Sequence, residues 1–196
     1  MKSYIKDQIK KSYETKQDIY NNEDLLNRIE QVSKMCVELY RGSKKTILAG
    51  NGGSAADAQH IAAELVGRYG FDRPSIPSLA LTTDTSNLTA IGNDYGYDKV
   101  FSRQLEGMGQ EGDIFIGIST SGNSLNIINA FNSAKNKGIT TVALTGRDGG
   151  EMAKLADVAL VVPSNSTPRI QESHILIGHI ICDIIEKEIF ADGVSN

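Results

Sequence analysis

Apolar positions recur at helical spacing through the first forty residues. From Ser3 to Tyr40 the pattern is helical, with a break near Asn21-Asn22, where Asn22 can cap the next helix. In the second helix Leu25, Ile29, Val32, Cys36 and Leu39 follow at steps of 4, 3, 4 and 3, which makes one apolar stripe. The stripe can cover the domain's own core or join an inter-subunit helix bundle, and periodicity alone leaves both open. After Gly42 the texture changes to short β-branched runs at Thr46–Ala49, Ser78–Thr82, Asp113–Ile118, Thr140–Leu144 and Val158–Val162. These read as five buried strands. Helical stretches lie between them near Ala55–Tyr69, Asn87–Gly92, Tyr97–Met108, Ser124–Lys137 and Glu151–Ala156, and a last helix covers about Arg169–Phe190. Such alternation predicts an α/β fold, a three-layer αβα sandwich around a five-stranded parallel sheet, because parallel neighbours need crossover connections.

With 196 residues and 40% hydrophobic content, the chain fits one folded domain. Twenty basic residues against 24 acidic ones give a net charge of −4, and the basic residues are scattered. No electropositive stripe exists for a phosphate backbone, so no nucleic-acid partner is expected. The most hydrophobic runs, Ile114–Ile118 and Val158–Val162, are strand-sized, and no membrane span is expected. The opening residues MKSYIKDQIKKSYETK carry charges every few positions and lack the apolar block of a secretory signal. Cys36 and Cys182 are the only cysteines, too few for a disulfide framework, and both sit at apolar helix positions as buried thiols. A cytoplasmic location is the expectation.

In parallel sheets ligands bind beyond the carboxyl ends of the strands. Two loops there have the composition of anion sites. The first strand runs into Gly50-Asn51-Gly52-Gly53-Ser54, where glycines allow close backbone approach and a helix start offers free N–H groups. A dinucleotide loop would want a further packing glycine and an acidic residue about 20 positions on, and neither is clear here. The third strand ends in Gly117-Ile118-Ser119-Thr120-Ser121-Gly122-Asn123-Ser124. A helix cap needs one hydroxyl and this turn has four, which favours a phosphate ester as ligand. Neither a Lys nor the Walker pattern follows, so nucleotide hydrolysis is not suggested.

The ionisable groups fall on two helices. His60 and Glu64, four apart, share a face of Ala55–Tyr69, and Gln171 and His179, eight apart, nearly share a face of the last helix. Two imidazoles, a carboxylate and an amide can close a tetrahedral divalent site, and such N/O ligands suit zinc; the His60–Glu64 pair alone also fits a solvated helix face. His174 lies off that face and reads as a surface or packing histidine. Asn93-Asp94 fits a turn or a hydroxyl-binding pair.

The segments LAGNGGSAADAQHIAAELVGR (Leu48–Arg68), GISTSGNS (Gly117–Ser124), LTGRDGG (Leu144–Gly150) and TPRIQESHILIGHIICDIIE (Thr167–Glu186) resemble the sugar isomerase (SIS) domain of bacterial phosphoheptose isomerases over nearly the whole chain. The resemblance implies a flavodoxin-like sheet preceded by two N-terminal helices, residues 1–196 forming one SIS domain with 1–42 as an extension used in oligomerisation. It further implies a homotetramer with active sites between subunits and one zinc ion per subunit. The implied reaction is isomerisation of D-sedoheptulose 7-phosphate to D-glycero-D-manno-heptose 7-phosphate, a first step that serves lipopolysaccharide core, capsule and other heptose routes alike. By the same resemblance Asn51, Gly52 and Gly53 match one substrate loop, Asn93 and Asp94 a second, and Ser119, Thr120, Ser121 and Ser124 the phosphate loop. His60, Glu64, Gln171 and His179 match the zinc ligands, Glu64 and Gln171 also reach substrate, and Glu64 with His179 matches the acid/base pair. Two alternatives share the fold: a non-catalytic SIS protein that binds the replication initiator DnaA, and a sugar-phosphate sensor. Neither has a use for the whole ionisable set.

Overall fold

The computed structural model of the chain describes residues 1–190. Helices α1 (Lys2–Tyr20) and α2 (Glu23–Arg41) precede strands β1 (Thr46–Gly50), β2 (Ser78–Ala80), β3 (Ile114–Ser119), β4 (Thr140–Gly146) and β5 (Val158–Val162). All pair in parallel in the order β2-β1-β3-β4-β5. The connections carry α3 (Gly53–Val66), α4 (Thr85–Tyr95), α5 (Ser102–Met108), α6 (Leu125–Asn136) and α7 (Gly150–Leu155), and α8 (Thr167–Phe190) closes the described chain.

Alternate strand residues feed two separate cores, as expected of strands buried on both faces. Leu48, Ile116, Leu144 and Leu160 face α2, α3 and α8. Ile47, Phe115 and Ala143 face Phe101, Leu105, Ile127 and Phe131 of the α5–α6 layer. This is the expected three-layer αβα sandwich. β1 connects outward to β2 on one side while its other neighbour is β3, so the strand order reverses between β1 and β3. A crevice opens at the carboxyl ends of strands at such a reversal. Gly50 pairs with Ile118, which brings the two glycine-containing loops out level with each other.

The stripe on α2 is settled by packing: Leu25, Ile29, Val32, Cys36 and Leu39 are all buried within the chain's own core. A run of uncovered apolar residues lies on α1 instead, where Tyr4, Ile5, Ile9 and Tyr13 are 50–67% exposed. Both cysteines are buried, and burial pushes each thiol up to about 12. Several element ends differ from the sequence pattern. The expected strand to Thr82 stops at Ala80, although Leu81 still donates to the Leu48 carbonyl. The stretch Tyr97–Met108 splits into a 3-10 turn at Tyr97–Lys99 and α5. The helix read near Asn87–Gly92 starts earlier because Asp84 caps it, accepting from Asn87 N at 3.0 Å.

Candidate active site

The β1 loop is tied to the first turn of α6, just beyond the β3 loop, by side-chain amides. Asn51 Nδ2 donates to Asn126 Oδ1 and Asn126 Nδ2 donates back to Asn51 Oδ1, each at 2.9 Å, and the Tyr97 hydroxyl donates to Asn51 Oδ1 at 3.0 Å. Beyond β3, Ser119 and Ser124 hydroxyls lie 2.8 Å apart. Ser124 occupies the N-cap of α6, yet its side chain does not cap the helix. The first-turn N–H groups of α6 are therefore left without a side-chain acceptor beside a group of hydroxyls, which suits an anion. Gly122 makes the turn possible: its φ is +66°, and a Cβ there would collide with the Gly149 carbonyl oxygen. The Gly122 carbonyl also accepts from Met152 N at 2.9 Å, so the loop is braced against α7. Asn93 and Asp94 sit near the end of α4, exposed and bonded to each other at 2.8 Å.

The ionisable residues meet between α3 and α8. His60 Nε2 lies 2.9 Å from Glu64 Oε1, as the i,i+4 spacing dictates, and 3.4 Å from His179 Nε2 of the other helix. The contact between helices depends on Gly178, next to His179: a Cβ there would stand 2.6 Å from Ile61 Cδ1, next to His60. With any larger residue the helices would have to separate or Ile61 would have to move. Donor atoms of His60, Glu64 and His179 all lie within 4.8 Å of one another. Two imidazoles and a carboxylate so placed are a donor set that fits zinc. The Gln171 carboxamide, on α8 roughly two helical turns before His179, lies against Gly53 at the start of α3. Three of the four expected ligands thus converge, and the carboxamide of the fourth borders the first substrate loop on the same pair of helices.

Three further residues join the site without having been legible in the sequence. Asp57, one turn before His60, has a buried carboxylate oxygen without a partner, and burial pushes its carboxyl up to about 6 while His60 draws it down. The Tyr69 ring lies 5.6 Å from the His179 ring. Asn126 carries the amide link described above. Only Asp57 had a local signal, its i−3 spacing from His60 on the same helix face.

His174 is a packing histidine. It is fully buried, with Nε2 3.0 Å from the Thr145 carbonyl and Nδ1 unpaired. Burial pulls its imidazole down to about 4, against the opposing effect of the Thr145 bond. An unfolded imidazole titrates near ~6.5, so the unfolded chain takes up this proton first as pH falls. Stability is complete above about pH 6.5 and declines toward pH 4, by about 3 kcal/mol from this group. Unfolding free energies measured at pH 7 and pH 4.5 should show this acid loss in the wild type and a flatter profile in His174→Gln; equal slopes would contradict it.

The SIS domain family model matches residues 10–146. Phosphoheptose isomerase of Sulfurimonas denitrificans is 88% identical over the full length of both chains, and that of Aneurinibacillus thermoaerophilus is 62% identical over 97% of this chain and 96% of its own. Among solved structures, phosphoheptose isomerase GmhA from Neisseria gonorrhoeae superposes with a TM-score of 0.89 at 44% identity, covering 95% of this chain and 98% of its own. A phosphoheptose isomerase from Francisella tularensis gives 0.91 at 36% identity, covering 94% and 97%. The family match, on a five-stranded parallel sheet of this order, defines a SIS-domain protein. Within that class, the chain belongs to the phosphoheptose isomerase family.

Proposed function

We infer that the protein is an aldose–ketose isomerase that interconverts D-sedoheptulose 7-phosphate and D-glycero-D-manno-heptose 7-phosphate, the first step of bacterial heptose biosynthesis. The observation that carries this reading is the convergence of His60, Glu64 and His179 from two helices in a chain that matches phosphoheptose isomerases end to end. Neither binding to a replication initiator nor sugar-phosphate sensing has a use for these three groups together.

The reaction moves a proton between C1 and C2 while charge develops on oxygen, so it needs a base, an acid and an electrophile. Glu64 removes a proton from C1 of the open-chain ketose as His179 gives one to O2, giving an enediol. Glu64 then returns its proton to C2 while His179 takes the O1 hydroxyl proton, which leaves the C1 aldehyde; His179 also assists ring opening. Ser119, Thr120, Ser121 and Ser124 hold the phosphate, with the first turn of α6 supplying N–H donors. Asn51, Gly52, Gly53, Asn93 and Asp94 bind the sugar hydroxyls, and Gln171, lying against Gly53, adds an amide on that side. His60, Glu64, Gln171 and His179 would hold one zinc ion per subunit. When bound, zinc supplies Lewis acidity to the substrate oxygens.

The uncovered apolar residues of α1, and an α4 without a single buried residue, support a homotetramer in which residues 1–42 pack between subunits and neighbouring chains complete each site. Among the described residues no helix is long and apolar enough to cross a membrane, and a cytoplasmic location is proposed for the biosynthetic role. Incubating purified protein with sedoheptulose 7-phosphate and following the sugar phosphates by NMR tests the activity. The heptose 7-phosphate aldose should appear until equilibrium and chelator treatment should slow it; an unchanged ketose would overturn the reading.

A further inference from the structure

Seven residues beyond His179 on α8, Glu186 is buried to 1% exposure and bound at every oxygen. Its Oε1 accepts from Tyr69 N and from Arg73 Nε, both at 2.9 Å. Its Oε2 accepts from Gly70 N at 2.6 Å and Phe71 N at 3.4 Å. Burial would raise the Glu186 carboxyl, but the Tyr69 and Gly70 N–H groups and the Arg73 guanidinium outweigh it and hold the carboxyl below its ordinary range. Arg73, with its side chain 2% exposed, donates to the end of α3 and, from one terminal nitrogen, to Pro74 O at 3.0 Å. One terminal nitrogen donates to Leu65 O at 2.7 Å and Gly67 O at 3.2 Å, and the other donates to Glu64 O at 2.8 Å.

A buried ion pair is weak evidence for stability, because apolar replacements often do as well. This pair does something an apolar pair cannot. It joins α8 both to the peptide of Glu64 and to the turn whose Tyr69 ring lies against His179. Those are the two residues that must face each other across the reacting carbons. Orphan carbonyls at a helix end leave its last turn free to fray, and Glu64 stands in that last turn.

We propose that the Arg73–Glu186 pair is a positioning clamp that sets Glu64 against His179, fixing the Glu64 carbonyl and the Tyr69 turn to α8. The proposal rests on the reading that Glu64 and His179 move the protons. Neither Arg73 nor Glu186 touches reacting atoms, so both are positioning residues. The loops after β1 and β3 are held by other bonds, so loosening the clamp lowers kcat and leaves KM nearly unchanged.

The test compares Arg73→Lys and Glu186→Gln with Asp113→Asn. The last breaks the Lys45–Asp113 pair, whose aspartate is also 1% exposed but sits at the opposite, amino-terminal edge of the sheet. At a temperature well below each Tm, the clamp variants should lose about ten- to a hundredfold in kcat with KM within about twofold. Asp113→Asn should lose Tm and keep wild-type kcat. Zinc affinity, read by competition with a chromophoric chelator, should weaken in the clamp variants alone. Wild-type kcat and zinc affinity in the clamp variants, or losses matched by Asp113→Asn at equal loss of Tm, would overturn the clamp. Should the clamp variants fail to fold, Tyr69→Ala leaves the pair intact and removes the ring: its kcat should fall and Tyr69→Phe should restore it, and wild-type kcat in Tyr69→Ala would overturn the proposal. A wild-type protein inert toward sedoheptulose 7-phosphate would sink the functional reading instead, and the zinc competition then still decides the clamp.

Discussion

Replacing Glu64 by Gln is expected to lower kcat by about a thousandfold, the scale set by loss of a general base, while sedoheptulose 7-phosphate still binds. The amide keeps the shape of the carboxylate and its bond to His60, now 2.9 Å long, but cannot accept a proton from carbon. The phosphate loop follows β3 and the β1 loop lies at the opposite end of α3 from Glu64, so both are untouched. Calorimetric titration of the variant should therefore give a dissociation constant within a few-fold of the wild-type KM, with turnover at background. Turnover within tenfold of wild type would remove Glu64 from the base role and shift the proton transfer to His179 or Asp57.

The second large effect is structural. Gly122→Ala should destabilise the fold by at least about 3 kcal/mol, since a left-handed φ costs roughly 1–2 kcal/mol for a residue with a Cβ and the collision with the Gly149 carbonyl adds to it. Neither backbone can yield cheaply, because Met152 N is bonded to Gly122 O and Gly149 itself sits at φ +86°. Urea denaturation measures the loss. Affinity for inorganic phosphate should fall in parallel, since the Ser119–Ser124 arrangement is built on this turn. A midpoint equal to that of the wild type would mean that the two loops separate without cost and that Gly122 has no special role.

The αβα sandwich was readable because apolar runs of strand length alternate with amphipathic helices, a signal that each segment carries locally. Element ends were less so. The helix read as ending at Tyr69 stops at Val66, because Gly67 follows and Arg73, distant along the chain, takes up the last carbonyls. Likewise the α2 stripe was clear, but its partner was decided by where α8 and β5 lie in three dimensions. Half of the site was equally local: His60 and Glu64 meet because residues four apart on a helix must. Their meeting with His179 depends on parallel packing of α3 and α8 through Gly178 and Ile61, a contact spanning more than a hundred residues that no spacing rule encodes. The resemblance to phosphoheptose isomerases supplied that pairing before the fold did. Tyr69, Arg73 and Asn126 lie outside the segments that carry the resemblance, and only the tertiary arrangement discloses them and the pairing of Arg73 with Glu186.

Isomerisation at this site requires α3 and α8 to deliver their donors to one point. Diffraction from crystals grown with zinc, recorded on both sides of the zinc absorption edge, tests this directly. The prediction is one anomalous peak per chain within bonding distance of His60, Glu64 and His179. An absent peak, or one bound only by other residues, would contradict it.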